Sequence, residues 1–506
     1  MYRPRTISQF IEVLEQVTGM ARKVVIVGAG NAALCAAISA AEAGAEVVVL
    51  ERAPQRARGG NSAFTGGCFR VAYDGASDIQ RIVPDLTDTE REISDFGSYP
   101  ADKFHADLCE MSGYRADPAL IDIVVEESLP AVLWMQAQGV RFLPAYGRQS
   151  FKIDGRNVFW GGLTVETAGG GLGLVDALFA RAEALGVEIR YDWKVDALIG
   201  DRRMVSGVVA DGKTLPADAV ILAAGGYHAN NEWRVRTLGP GWDLAKVRGS
   251  RYNTGNVIQA ALNIGARSHG NWSGCHSVFF DAGADDFGTI TALNQQKNYF
   301  TLGIVVNRRG DRFFDEGANF RNYTYSRMGA EILKQPGGTG WQIFDARGIA
   351  MLPDEYRTPR SARFEADTLE ALAGKLDGLD TTGFLRTVAE YNAAIDADTP
   401  FNPAVLDGRR THGLAIDKSN WARAISQPPF VAYEVTCGIT LTFGGLAIDA
   451  QARVQNEEGS PIGNLYAAGE LVGGLYYDRY PGGAGLTSGA VFGRIAGREA
   501  AISSPT

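Results

Sequence analysis

The chain has 506 residues, 45% hydrophobic and 21% charged, a globular composition on a length that exceeds one ordinary core. Its net charge of −9 argues against a nucleic-acid binder, which usually shows a basic surface. The 5 cysteines (Cys35, Cys68, Cys109, Cys275, Cys437) stand singly with no C-x-x-C pair, which argues against a zinc ribbon, a cysteine-held iron–sulfur cluster and a thioredoxin motif, so no metal site is expected.

Residues 1–22 lack the basic-then-apolar layout of a secretory signal, and no run of ~18 apolar residues marks a membrane span, so a cytoplasmic protein is expected. Apolar residues at helical spacing from Ile7 to Val17 predict a short amphipathic helix. Lys23 to Val27, KVVIV, then predicts a strand buried on both faces. It runs into Gly28-Ala29-Gly30-Asn31-Ala32-Ala33, an Ala-rich helical stretch, a terminating Gly44 and a second strand, Glu46 to Leu50. This is a βαβ unit with the G-x-G-x-x-G/A pattern of a dinucleotide site. Gly28 permits the tight turn, Gly30 admits a pyrophosphate to the backbone, and Ala33 permits close packing of helix on strand. Glu51, with Arg52 beside it, ends the second strand where an acid can accept from a ribose diol.

A second Gly-rich loop follows, Arg58 to Gly67, RGGNSAFTGG. A nicotinamide dehydrogenase has no need of it. Backbone amides and the Ser62 hydroxyl, with Gly60, Asn61, Gly66 and Gly67 around it, suit the pyrophosphate or ring edge of an FAD.

These segments resemble the fumarate reductase/succinate dehydrogenase flavoprotein family. The phrase GNAALCAAISAAEAGAEVVVLERAP followed by RGGNS is most similar to the tricarballylate dehydrogenases within it. The resemblance continues in order along most of the chain. Gly169 to Gly173 matches the segment before the family's long interdomain helix, and Val187 to Tyr191 reads as an edge strand leading to Val195. Ala219 to Tyr227, AVILAAGGY, matches an apolar strand whose end, at Ala224 and Gly225, passes under the flavin. Asn464 to Gly474, NLYAAGELVGG, is the most specific match and implies FAD contacts at Gly469 and Glu470. Gly485, Leu486 and Thr487 then open the last helix, whose N-terminal amides and dipole suit the flavin's electron-rich end.

The implied fold is α/β: a Rossmann-type, glutathione-reductase-like FAD-binding domain with an inserted α+β capping domain. The expected division is 1–230 and 405–506 for the FAD domain and 231–404 for the cap. Within the cap, Thr301 to Asn307 predicts a strand, Arg308 to Asp311 a hairpin turn, and Arg312 to Glu316 a return strand. Leu369 to Ala394 predicts polar-faced helices at the surface of the cap.

Membrane-bound members of the family attach FAD through a His in the second Gly loop. Asn61 to Gly67 contains none, so FAD is expected to be non-covalent. Nor is there a C-x-x-C-H haem motif, so a separate electron donor or acceptor is expected, membrane-associated or not.

For the reaction, the resemblance implies hydride transfer at a C–C bond beside a carboxylate or carbonyl of a small-molecule substrate. His276 matches the position of a carboxylate-binding His, and Arg479 falls near a C-terminal substrate Arg suited to bidentate binding. Counting four residues from Glu316 to the family's acid gives Phe320, with Arg321, Tyr323 and Tyr325 beyond; one residue turns a helical side chain by ~100°. At the second substrate His of fumarate reductases stand Thr440 and Thr442. The loop Tyr480-Pro481-Gly482-Gly483-Ala484-Gly485 also resembles that of 3-ketosteroid dehydrogenases, in which a Tyr and a Gly amide polarise a ketone. That makes Tyr480, with Tyr323 or Tyr325 as base, a rival constellation to His276, Arg321 and Arg479.

Overall fold

KVVIV forms the central strand of the molecule, Lys23–Val27, with Val24 to Val27 buried. It runs parallel to Glu46–Leu50 on one side, with Val25 opposite Val48, and to Ala219–Leu222 on the other, with Val25 opposite Val220. Branched residues fill these strands because both faces of a parallel sheet are covered, leaving no polar face to alternate with. The sheet order is Arg453–Gln455, Pro461–Ala467, Ala219–Leu222, Lys23–Val27, Glu46–Leu50, Glu188–Arg190, so both ends of the chain contribute to one layer. All neighbours are parallel except the first pair. The ladder continues past the strands: Gly28 N donates to Leu50 O at 2.8 Å, and Ala223 N to Val27 O and Ala468 N to Leu222 O at 2.9 Å. Three chain segments are thereby gathered at the carboxyl ends of the strands, where a parallel sheet opens its crevice. The chain, a computed structural model, is described over residues 21–289, 295–358 and 361–503; the helix expected from Ile7 to Val17 lies outside these.

The helices Asn31–Glu42 and Ala484–Ile502 pack against one another over this sheet. A Cβ added to Gly493 would stand 2.4 Å from Ala32 O, and one on Gly497 2.2 Å from Ala36 O. Gly489, Gly493 and Gly497 recur every four residues and so clear one face of the helix of side chains. The bare face meets the alanines of the first helix and ties the C-terminal segment to the nucleotide-binding turn.

A second sheet is organised by the strand Phe430–Thr442. It pairs antiparallel with Cys275–Asp281, Gly340–Phe344 and Arg363–Ala366 and parallel with Lys246–Val247, while Ile304–Asn307 extends the sheet beyond Gly340–Phe344. The helix Thr381–Ala393 inserts Phe384, Val388 and Tyr391 into a core with Ile304, Trp341 and Phe430. The chain was expected to return to the first layer at 405, but Phe430–Thr442 belongs to the second sheet. Val431, Val435, Cys437 and Ile439 are fully buried in that sheet's own cores. We propose that the inserted unit extends to Thr442.

The expected hairpin is also altered. Asn307 Oδ1 accepts from Arg309 N and Asp311 N, and Gly310 takes a φ of +75°, so the turn forms. Beyond the bridge from Val306 to Arg312, no return strand follows. Glu316 Oε1 accepts from Val305 N at 2.9 Å and from Arg312 Nε at 3.0 Å, so a buried side chain takes the place of a strand's carbonyls. Among the described residues, no helix is long and apolar enough to cross a membrane, and no cluster of His, Cys, Asp and Glu is grouped to hold a metal ion.

Candidate active site

A cleft open to solvent runs along the carboxyl ends of the first sheet and under the second. At one end lie Gly28, Gly30, Asn31 and Ala32. Gly28 has a φ of +107°, and a Cβ there would stand 2.4 Å from Ala223 O, so only glycine closes this turn. The second Gly loop faces it: Ser62 Oγ accepts from Asn31 N at 3.0 Å, and a Cβ on Gly60 would find only Gly30 Cα, at 3.8 Å. Asn31 Nδ2 donates to Leu486 O at 2.8 Å, joining the starts of the first and last helices.

Glu51 is buried at the end of its strand and accepts from Ala53 N at 2.7 Å. Burial raises its pKa above the usual carboxylate range, partly offset by backbone donors and the Arg52 charge. The Arg52 guanidinium bonds Tyr252 O, Thr254 Oγ1 and Asn256 Oδ1, so it braces the wall of the cleft. Val195, Ala224, Gly225, Gly469, Glu470, Gly485 and Leu486 continue the lining, with Gly66, Asn61 and Trp193. Both ends of the Asn61 side chain are occupied: Oδ1 accepts from Ser250 N and Nδ2 donates to Thr440 O. Asn61 therefore stitches the second Gly loop to the end of the long strand.

Three expected contacts lie outside the cleft. Ala33 is fully buried between helix and sheet, as its packing role requires. Gly67 turns away, and a Cβ on it would stand 2.1 Å from Thr167 Oγ1. Thr487 Oγ1 donates to Arg70 O at 2.8 Å within the core.

The cleft fits FAD. Its first and second Gly loops approach each other closely, the buried acid of Glu51 opens onto it, the start of the last helix adjoins that of the first at Asn31, and the strand Cys275–Asp281 brings His276 to the other end.

That other end holds a cluster of rings. His276 packs edge-on at 4.9 Å from both Tyr325 and Tyr480, and Tyr476 lies 5.0 Å from Tyr480; all four line the cleft. Burial and the Arg248 charge lower the His276 pKa to about 3, so the imidazole is neutral at physiological pH. As the resemblance implies for a carboxylate-binding His, it lines the cleft, and in its neutral form it can offer a substrate an uncharged hydrogen bond. Its Nδ1 has no hydrogen-bond partner among the described residues. The phenol of Tyr480 is pushed above its ordinary pKa by burial, against the pull of the Gly485 amide and nearby arginines. Tyr480 Oη accepts from Gly485 N at 2.9 Å, which leaves the hydroxyl proton to donate.

Two guanidinium groups flank the rings. Arg248, which the sequence did not single out, donates from Nε to Thr440 Oγ1 at 3.0 Å and from Nη1 to Phe64 O at 3.2 Å. Arg321 Nη2 donates to Arg148 O at 2.6 Å and Tyr299 Oη at 3.1 Å, while its Nε is buried without a partner among the described residues. Arg148 also lines the cleft, but Glu355 at 3.2 Å and Glu166 at 3.6 Å compensate it.

Two expected catalytic residues are elsewhere. Tyr323 Oη donates to Asp107 Oδ2 at 2.8 Å, on the far side of the short helix Arg321–Thr324. Arg321 and Tyr325, four apart, share the cleft side. Phe320 stacks on Trp160 at 5.5 Å. Arg479 is half-buried outside the cleft lining. Arg479 N is held by Met111 O and Tyr480 N by Ser326 Oγ, a backbone path that sends Tyr480 inward and Arg479 outward.

His276 has a consequence for acid stability. Its folded pKa of about 3 lies below the unfolded value near 6.5, so between those values the unfolded chain binds a proton that the folded chain refuses. Its neutral form supports the fold above pH ~6.5, and that support is lost as pH falls toward 3. Thermal unfolding of wild type and His276→Gln at pH 7 and 4.5 is expected to show a smaller acid-induced loss in the variant, by roughly 2–3 kcal/mol. Equal losses in both proteins would refute this.

Comparison with known proteins accords with this geometry. Residues 23–486 match the FAD binding domain family. The chain is 30% identical over 489 residues to a fumarate reductase (cytochrome) of Shewanella frigidimarina, covering 94% of this chain and 76% of that protein. It superimposes on the open conformation of a flavocytochrome c3 fumarate reductase with a TM-score of 0.71 at 26% identity, over 99% of this chain and 82% of that one. A 3-ketosteroid delta1-dehydrogenase from Sterolibacterium denitrificans shares the fold, with a TM-score of 0.72 at 21% identity, over 96% of this chain and 100% of that one.

Proposed function

The chain belongs to the FAD binding domain family and is an FAD-dependent oxidoreductase, and from that premise we propose that it reduces or desaturates a C–C bond α,β to a carboxylate. The observation that carries this reading is the pair of guanidinium groups, Arg248 and Arg321, flanking the wall of His276, Tyr325 and Tyr480 in the cofactor cleft. FAD, when bound, supplies or accepts the hydride at its flavin ring.

The chain's own residues supply the rest. Arg248 and Arg321 hold the substrate carboxylate and stabilise the enolate-like charge that develops on it as the bond order changes. Tyr480 Oη hands a proton to the α-carbon in reduction and receives it in desaturation; its raised pKa keeps the phenol protonated at neutral pH. Neutral His276 packs against Tyr480 and offers one uncharged hydrogen bond. Electrons enter or leave through a separate partner.

A second reading, α,β-dehydrogenation of a cyclic ketone, is favoured by one feature: Tyr325, Tyr476 and Tyr480 converge on the same wall. Anaerobic mixing of the oxidised protein with substrates, following the flavin band near ~450 nm, tests the two. Bleaching by tricarballylate or another polycarboxylate is the expected result. Bleaching by a 3-ketosteroid or simple cyclic ketone alone would overturn the carboxylate reading.

A further inference from the structure

His228 has so far had no part in the site. It follows the Gly225-Gly226-Tyr227 turn beyond the strand Ala219–Leu222, and its side chain is completely buried. Its Nδ1 lies 2.9 Å from Glu470 Oε1. The same oxygen accepts from Thr442 N at 2.9 Å and Thr442 Oγ1 at 3.3 Å. In the tautomer with its proton on Nδ1, His228 donates to this oxygen. Three donors converge on Oε1, and none among the described residues reaches Oε2, although Glu470 lines the cofactor cleft.

The turn is shaped around this arrangement. A Cβ on Gly226 would stand 2.2 Å from Glu470 Oε1 and 2.3 Å from Thr442 Oγ1, so the glycine makes room for the carboxylate. Arg234 Nη1 donates to His228 O at 2.9 Å and holds the histidine's backbone in place. His228 Nε2 is buried without a partner among the described residues. The ring therefore makes one side-chain hydrogen bond, the one to Glu470.

We infer that His228 is a positioning residue for the cofactor: it locks one oxygen of Glu470 so that the other is presented, at fixed orientation, to a hydroxyl of bound FAD. The inference rests on the placement of Glu470 among the FAD contacts. Without His228 the carboxylate keeps only the Thr442 donors, is freer to rotate, and loses part of its preorganisation toward the ligand.

Asparagine and glutamine separate this role from simple filling of space. An Asn amide can stand where Nδ1 stands, and because Nε2 makes no bond, nothing further is lost. A Gln amide reaches the place of Nε2 and misses Glu470.

The test is titration of the apoprotein with FAD, followed by flavin fluorescence, with circular dichroism of each apoprotein verifying the fold. His228→Gln is expected to weaken FAD binding by about 10–100-fold, the range for losing a hydrogen bond to a charged group. His228→Asn should stay within about 3-fold of wild type. In a Glu470→Ala background, His228→Gln should add less than about 3-fold, because the two act through one interaction. His228→Ala carries the expectation of His228→Gln and keeps the test decisive where the glutamine variant does not fold. Wild-type affinity in both the Gln and Ala variants would overturn the inference. So would equal loss in the Asn and Gln variants, or an undiminished loss in the Glu470→Ala background. Wild-type affinity in Glu470→Ala itself would instead remove the placement of Glu470 on which the inference stands, leaving the FAD cleft intact.

Discussion

Arg248→Met is expected to lower kcat/KM for the carboxylate substrate by about two to three orders of magnitude, the cost of removing one partner from a desolvated, hydrogen-bonded charge pair. The guanidinium lies within the cleft, buried, and next to His276, whose basicity it depresses. Its replacement removes the attraction for a carboxylate and the stabilisation of charge that grows on that group during reaction, so kcat should fall along with a rise in KM. Arg248→Lys keeps the charge without the planar fork and should recover part of the loss. The residue also braces the second Gly loop through Phe64 O, so FAD content must be measured alongside. Tyr480→Phe gives the counterpart. Under the carboxylate reading it slows turnover and spares substrate affinity; under the ketone reading it abolishes both, while Arg248→Met has little effect. Steady-state kinetics on the two variants with a polycarboxylate and a cyclic ketone thus sorts the readings, and an Arg248→Met enzyme with unchanged carboxylate turnover would sink the first.

Where function was legible in the sequence, the chemistry was local. KVVIV, the first glycine loop and Glu51 lie within thirty residues of one another, and each requirement (buried strand, tight turn, helix start, terminal acid) is met by its neighbours. NLYAAGELVGG was read differently, through its resemblance to the family rather than through local chemistry. Arg248 carried no such signal. It follows a strand of two residues, Lys246–Val247, whose position depends on pairing with Gly438 and Ile439 almost two hundred residues later. The choice between Tyr323 and Tyr325 depended on the phase of a helical turn. That phase follows from Phe320, whose ring stacks on Trp160 and lies against Trp421, contacts between segments far apart in the chain. Arg479 is the converse case: the motif around it is recognisable, but the bonds of Arg479 N to Met111 O and Tyr480 N to Ser326 Oγ, to distant segments, decide which neighbour lines the cleft. The long strand Phe430–Thr442 belongs to both problems. Its middle builds the second sheet, and its last residues, Thr440 and Thr442, position Asn61, Arg248 and Glu470 at the cleft.

The two glycines of the first loop should behave differently when each is replaced by alanine, as the separate roles read for them in the motif require. At Gly28 the φ of +107° is strained for any L-residue, and the added Cβ would meet Ala223 O at 2.4 Å and Ala223 C at 2.9 Å. Both obstacles are backbone atoms of a strand end hydrogen-bonded to Val27, so neither can turn aside as a side chain would. Gly28→Ala is therefore expected to destabilise the apoprotein by about 2–4 kcal/mol, overpacking and backbone strain together. Because the displaced turn lines the cleft, it should also lose FAD. Gly30 has a φ of −84°, which any residue tolerates, and its Cβ would lie 3.4 Å from Ser62 Oγ and 3.7 Å from Gly59 O. The apoprotein should accept Gly30→Ala with little change in thermal stability. The motif implies that the pyrophosphate of FAD reaches the helix N-terminus across this turn; on that reading the methyl group holds it off the amides, and FAD affinity should fall by about 10²-fold or more. Thermal unfolding of both apoproteins, with FAD titration of each, reads the two effects separately. A Gly30→Ala protein that binds FAD normally would mean that the pyrophosphate does not cross this turn.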